Sequence, residues 1–212
     1  MAGSTDGQGA GDGAFPDDIG SLITASVLER SFAVKRPFKV NFDVDCSFCR
    51  KNRQIYRIDH DFEHPEPTFI KRMPVSVAAL SYDQAYTGRS VVILRDHETD
   101  MNFMMKTKQL LFIAFMEDVS AVVDAIEAAC SPDKMNYCVY MNQNKHFHMH
   151  LIPRYKAEGD AFNEPPPFRG VEEMTPDYDY RSLALRIRKR IKHKPSPLSL
   201  YCQKLIDEGL PP

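Results

Sequence analysis

Lys145-His146-Phe147-His148-Met149-His150-Leu151-Ile152-Pro153-Arg154-Tyr155 alternates histidine with apolar residues from His146 to Leu151. Side chains on a β-strand alternate between faces. Period two therefore sets His146, His148 and His150 on one face and Phe147, Met149 and Leu151 on the other. The apolar set faces a core, and Pro153 is expected to end the strand. Same-face neighbours on a strand lie roughly 6.5–7 Å apart, a spacing that suits groups placed around one phosphate. Imidazole is largely unprotonated near neutral pH, so it can attack phosphorus and divide one hard displacement into two easier ones. A His-x-His strand is also able to chelate zinc. Both readings stand on the residues alone.

Working outward, Asn136 to Met141 reads as a strand, and only Asn142 to Lys145 separate it from the histidine run, which is hairpin length. Upstream, apolar residues recur at helical spacing from about Thr107 to Cys130 (Leu111, Phe115, Val119, Val122, Ile126), and Ser131-Pro132-Asp133 stops that helix. Val75, Val77 and Ala79 alternate, Tyr86-Thr87-Gly88 offers a turn, and Ser90 to Leu94 is a buried strand leading to His97. Phe38, Val40, Phe42 and Val44 alternate in a strand or extended arm that runs into Cys46-Ser47-Phe48-Cys49. His60 to Pro67 reads as a loop. The order strand, strand, helix, strand, strand predicts an α+β fold with an antiparallel sheet and one long helix against it.

The ends are extensions. Residues 1–20 are rich in Gly, Asp and Ala and bury too little apolar surface to order themselves. Ser21 to Arg36 carries a short helical pattern. After residue 155, Glu158 to Asp179 reads as loop, Arg181 to Lys194 as a basic helix, and Leu198 to Ile206 as a short last helix. The central body is thus residues 21–155, and residues 156–212 form a C-terminal extension.

Composition narrows the function classes. The chain has 212 residues, 43% hydrophobic content and a net charge of −2, which argues against a bulk polyelectrolyte role. No apolar run reaches the roughly 18 residues of a membrane helix, and the N-terminus lacks a signal-peptide layout. A cytoplasmic or nuclear location is expected. The five cysteines, an odd number, argue against a disulfide framework and turn attention to metal binding by the close pair Cys46 and Cys49. A structural zinc site needs four ligands, and His97 and His146 are candidates to complete it, with His60 and His64 as alternatives. Cys130, Cys138 and Cys202 read as small hydrophobes. The basic stretch Arg186 to Lys194 reads either as a solvated helix face or as a contact for nucleic acid.

The run His146-Phe-His-Met-His-Leu-Ile152, followed by Pro153-Arg154-Tyr155, resembles the histidine-triad pattern. The resemblance covers roughly Phe38 to Tyr155 and extends to a branch with Cys-x-x-Cys before the sheet and a histidine ending a Val-Val-Ile-Leu-Arg-Asp-His strand. It implies a five-stranded antiparallel sheet with N- and C-terminal extensions, and a homodimer whose two sheets join. It also implies hydrolysis or transfer of nucleoside monophosphates from dinucleoside polyphosphates or phosphoramidates, by way of a nucleotidyl-histidine intermediate. His148 is then the nucleophile and His150 its phosphate-side partner, while zinc on Cys46, Cys49, His97 and His146 pins the arm. Asn142, Gln143 and Asn144 stand in for the longer phosphate loop of many members, and Asp83 lies where the family holds a ribose. Where members often carry a histidine after the hairpin glycine, this chain has Arg89 after Gly88. A nucleotide-binding module without turnover, and an enzyme acting on adenylated nucleic-acid ends, are the competing readings.

Overall fold

The computed structural model describes residues 37–57, 64–166, 174–192 and 194–210. The expected tail at residues 1–20, the helix expected over Ser21 to Arg36, and His60 lie outside the described residues. The elements in chain order are α1 (Ser47–Gln54), β1 (Phe69–Arg72), β2 (Ser76–Leu80), β3 (Ser90–Leu94), α2 (Met101–Thr107), α3 (Gln109–Cys130), β4 (Lys134–Cys138), β5 (His148–Arg154), a 3-10 segment (Lys156–Asn163), α4 (Tyr180–Arg188) and α5 (Pro197–Gly209). The sheet has five strands in the order β1-β2-β3-β5-β4, and every pairing is antiparallel. The chain adopts the expected α+β class.

Both faces of the sheet are covered, and the period-two rule says by what. On one side Ile70, Ala78, Leu80, Val92, Leu94, Met149 and Leu151 meet Leu111, Phe115, Val119, Val122 and Ile126 of α3 in the main core. Leu183, Ala184 and Ile187 of α4 and Cys202, Leu205 and Ile206 of α5 join the same core, so the helices of the C-terminal extension pack into it. On the other face Phe69, Val77 and Ile93 form a smaller cluster with Tyr56, flanked by Phe48 and Val91. Register places Val91 opposite His150 and Ile93 opposite His148, so both histidines stand on this second face.

Two sequence expectations are corrected and two are made definite. Of the strand or extended arm expected over Phe38 to Cys46, the structure has an arm and no strand. Its backbone partners are local to His97: His97 N donates to Asn41 O at 3.0 Å, and Asn41 N donates to Asp96 Oδ1 at 2.5 Å. The fifth strand, which the sequence pattern does not locate, is Phe69–Arg72. The expected long helix is present as Gln109–Cys130, and a further helix, Met101–Thr107, precedes it across Lys108, whose φ of −129° and ψ of 43° leave the helix. There the Lys108 ammonium, only 5% exposed, pairs with the buried carboxylates of Asp96 and Glu98. That tertiary pull outweighs local helix propensity. Pro153 does not end its strand, because β5 runs on to Arg154. Arg154 O accepts from Asp133 N on the β4 side. The Pro153 nitrogen therefore faces the side where the β3 ladder has already ended at Leu151, and no ladder hydrogen bond is lost. Finally, β5 starts at His148, which leaves His146 just outside the sheet.

Candidate metal cluster and histidine cleft

Cys46 is the N-cap residue of α1, and Cys49 lies one turn into that helix. A Cys-x-x-Cys spacing across a helix start turns both sulfurs the same way. They meet His97, on the turn after β3, and His146, just before β5. The ligand atoms of these four side chains lie within 4.8 Å of one another, the group of this kind found among the described residues. Cys49 Sγ is 3.3 Å from His97 Nδ1 and 3.5 Å from His146 Nδ1, and Cys46 Sγ is 3.5 Å from His146 Nδ1. The two Nδ1 atoms are 3.3 Å apart. A tetrahedral zinc with bonds of about 2.3 Å to sulfur and about 2.05 Å to nitrogen spaces its ligands roughly 3.5 Å apart for S–N pairs and roughly 3.3 Å for N–N pairs. The four side chains fit that geometry.

Their surroundings fit it as well. His146 Nε2 donates to Leu94 O at 2.6 Å, which fixes the proton on Nε2 and leaves the Nδ1 lone pair for a metal. Burial lowers the His146 pKa to about 4, so this imidazole is neutral, as a metal ligand must be. Burial pushes the Cys49 thiol up to about 12, a cost that a cation beside it removes. Asp96 and Glu98, the neighbours of His97, hold the arm through Asn41, since Asn41 Nδ2 donates to Glu98 Oε1 at 2.8 Å. Of the alternative ligands, His64 is committed elsewhere. It hydrogen-bonds Ile55 O at 3.0 Å through Nε2, accepts from Glu66 N at 3.1 Å, and stacks on Phe69 with ring centroids 3.9 Å apart.

Beside the cluster lies a cleft of about 260 Å³. Phe48, Tyr56, Tyr82, Val91 and Ile93 give it an apolar wall, Lys51 and Arg89 give it positive charge, and His148 and His150 line it together. Asn142, Gln143 and Asn144 of the β4–β5 loop and Ser81 also line it. His148 Nδ1 is 2.6 Å from His146 O. The carbonyl can only accept, so Nδ1 carries the proton and Nε2 keeps its lone pair. Burial lowers the pKa of His148, which favours the neutral, nucleophilic form. The His148 and His150 ring centroids are 5.0 Å apart. Burial, with the charges of His148 and Arg89 added, lowers His150 to about 4, and its buried Nδ1 has no partner among the described residues.

The remaining sequence-selected residues are placed as follows. Asn144 braces the loop: its Oδ1 accepts from His146 N at 2.9 Å, and its Nδ2 donates to Ser47 Oγ at 2.9 Å. Met141, at the start of that loop, has φ 52°. Asp83 accepts from Arg89 Nη1 at 2.8 Å and from Ala85 N at 2.9 Å, so it orients the guanidinium that lines the cleft. Tyr140 and Lys51 also reach the cleft without a sequence signal, because neither falls in a motif. Among the described residues no helix is long and apolar enough to cross a membrane.

No protein-family model and no curated protein matches the chain. Among solved structures it is similar to a hypothetical histidine triad nucleotide-binding protein from Sulfolobus tokodaii, at 19% identity and a TM-score of 0.49, covering 69% of this chain and 92% of that one. It is similar to a Hit-like protein of Bartonella henselae described as involved in cell-cycle regulation, at 16% identity and a TM-score of 0.48, covering 70% and 98% of the two chains. A zinc-bound histidine triad family protein from Mycobacterium smegmatis aligns at 14% identity with a TM-score of 0.43, over 69% of this chain and 93% of that one.

Proposed function

We propose that this chain is a nucleotidyl hydrolase or transferase that works through a covalent nucleotidyl-His148 intermediate on dinucleoside polyphosphates or nucleoside phosphoramidates. The observation that carries this reading is the 2.6 Å contact between His148 Nδ1 and His146 O, in a cleft that His148 shares with His150 and Arg89. With its proton held at Nδ1, His148 attacks the α-phosphorus through Nε2. A P–N bond forms, the bond from phosphorus to the leaving group breaks, and the leaving oxygen or nitrogen takes the electron pair and then a proton from solvent. The positive charge that develops on the imidazole is offset by the His146 carbonyl. Water then attacks phosphorus, the P–N bond breaks, the pair returns to Nε2, and the water proton leaves to solvent.

Arg89, His150 and the Asn142, Gln143 and Asn144 loop supply donors and charge for the phosphoryl oxygens. The apolar wall from Phe48 to Ile93 suits a nucleoside. Cys46, Cys49, His97 and His146 would hold zinc, which supplies a cross-link there and takes no part in bond making. By fixing His146, that cluster fixes the carbonyl that orients His148. Such thiols suit the cytoplasm or nucleus, where they stay reduced. β4 is an edge strand of the sheet with Tyr137 exposed, which supports a homodimer formed through that edge.

The test is turnover of a dinucleoside polyphosphate and of adenosine phosphoramidate, with acid-quench trapping of an α-phosphate-labelled protein. His148→Ala is expected to lower turnover by at least about a thousandfold and to abolish the trapped label. Undiminished turnover in that variant sinks the assignment. Nucleotide binding by the wild type with no turnover across the panel favours the binding-module reading.

A further inference from the structure

Behind the metal cluster, and separate from the histidine cleft, lies a second cavity of about 240 Å³. Arg53, Arg57, Arg72 and Arg95 line it, with Asp207 as the sole carboxylate among the lining residues. Arg72 and Arg95 both direct a guanidinium nitrogen at the same Asp207 Oδ1. Arg95 is 1% exposed, and its Nε has no partner among the described residues. Asn52, also buried and also lining the cavity, carries an Oδ1 with no partner among the described residues. A buried donor and a buried acceptor left without partners each carry a desolvation cost that a ligand meeting both would relieve. Arg53 and Arg57 are exposed at the mouth, and the Arg53 guanidinium lies 5.9 Å from the Phe42 ring centroid.

Guanidinium forks match the tetrahedral oxygens of phosphate bidentately. The mixture of donors with one lone acceptor, Asn52 Oδ1, suits a hydrogen phosphate group, which accepts through its oxygens and donates through its P–OH. We propose that this arginine-lined cavity is a second phosphate-binding site, taking a phosphoryl anion of at least two charges. The anion is either free, as pyrophosphate, or the terminal phosphate of a nucleic-acid strand. The site does not depend on turnover at His148.

Titration calorimetry of the full chain at low salt, with inorganic pyrophosphate as the probe, tests it. The variants are Arg53→Gln/Arg57→Gln, both exposed at the mouth, with an unchanged thermal midpoint as the check on folding, and Arg89→Gln in the histidine cleft. Loss of a charge-assisted contact weakens binding by about tenfold or more. The double variant is expected to weaken pyrophosphate binding by at least that factor while leaving nucleotide turnover unchanged, and Arg89→Gln to leave the second-site binding intact. A 5′-phosphorylated oligonucleotide and its 5′-hydroxyl counterpart form the second arm. Binding of the phosphorylated strand alone, lost in the double variant, identifies a strand end as the source. Pyrophosphate binding lost in the double variant, with equal or no binding of the two oligonucleotides, identifies the free anion as the source. No binding of pyrophosphate or of the phosphorylated strand, binding that survives the double variant, or binding lost only in Arg89→Gln overturns the proposal.

Discussion

Replacing Gly88 with alanine probes how the β2–β3 turn sets the charge in the histidine cleft. Gly88 has φ 90°, in the region that favours glycine. Holding an L residue there costs about 1–2 kcal/mol. The new Cβ would also stand 2.9 Å from Cys130 Sγ and 3.4 Å from Ile126 Cγ2 at the end of α3. Overpacking of that kind adds about 1–3 kcal/mol. The variant should therefore lose about 2–5 kcal/mol in urea unfolding. Arg89 N donates to Tyr86 O at 2.8 Å, and Gln84 Nε2 donates to Arg89 O at 2.8 Å across the same turn, so a displaced Gly88 moves Arg89 with it. KM for nucleotide should rise more than kcat falls. Cys130→Ala in the Gly88→Ala background removes the Sγ contact and leaves only the backbone cost. A double-mutant cycle should then show a coupling of about 1 kcal/mol or more. Loss of under about 0.5 kcal/mol in the single variant, or no coupling in the cycle, would mean that neither the backbone nor Cys130 opposes a Cβ at this turn.

Metal analysis of the purified chain should find about one zinc per chain, and Cys49→Ala and His97→Ala should each lose it. Since four ligands contribute roughly 10–16 kcal/mol, one ligand is worth about 3 kcal/mol, and chelation should lower the thermal midpoint of the wild type but not of these variants. A metal-free wild type with an unchanged midpoint contradicts the cluster. Asp118 gives a pH prediction of opposite sign to the usual carboxylate. Burial raises it to about 7, although it accepts from Ser76 Oγ at 2.8 Å and Val75 N at 3.0 Å. The native state then holds a proton that the unfolded chain releases near its ordinary value of 3.8, so this contribution to stability is full below that value and is lost as pH rises toward about 7. In Asp118→Asn the difference in unfolding free energy from wild type should grow in the variant's favour between about pH 4 and 7. A pH-independent difference contradicts the burial argument.

The residues that carry the proposed chemistry were legible because they are spaced by local geometry. Period two in the histidine run puts His148 and His150 on one face whatever the neighbouring strands do. The Cys46–Cys49 spacing and the Val91-to-His97 run likewise announce ligands, and the structure brings them to His146. What was not legible depends on contacts between distant segments. The arm alternates like a strand, yet Asp96 and His97 occupy its backbone groups. Phe69–Arg72 is too short, and too close to Pro65 and Pro67, to stand out as a strand. The break at Lys108 follows from two buried carboxylates that no helical pattern reveals. The arginine-lined cavity draws on residues from α1, β1, the end of β3 and α5, and no window of sequence contains it.

The metal cluster has a consequence for how the chain reaches its native state. Cys46 and His146 are 100 residues apart. Closing a loop of that length costs roughly 4 kcal/mol in chain entropy. The two cysteines emerge together near the start, whereas the last ligand arrives only with β5, the strand that joins β3 to β4. Four-fold coordination thus requires the turn after β3 and the approach to β5 to have been brought together with the start of α1. A metal held by all four side chains acts as a late clasp, slowing escape from the folded state more than it speeds entry. Its retention through a purification would report that these three segments have met.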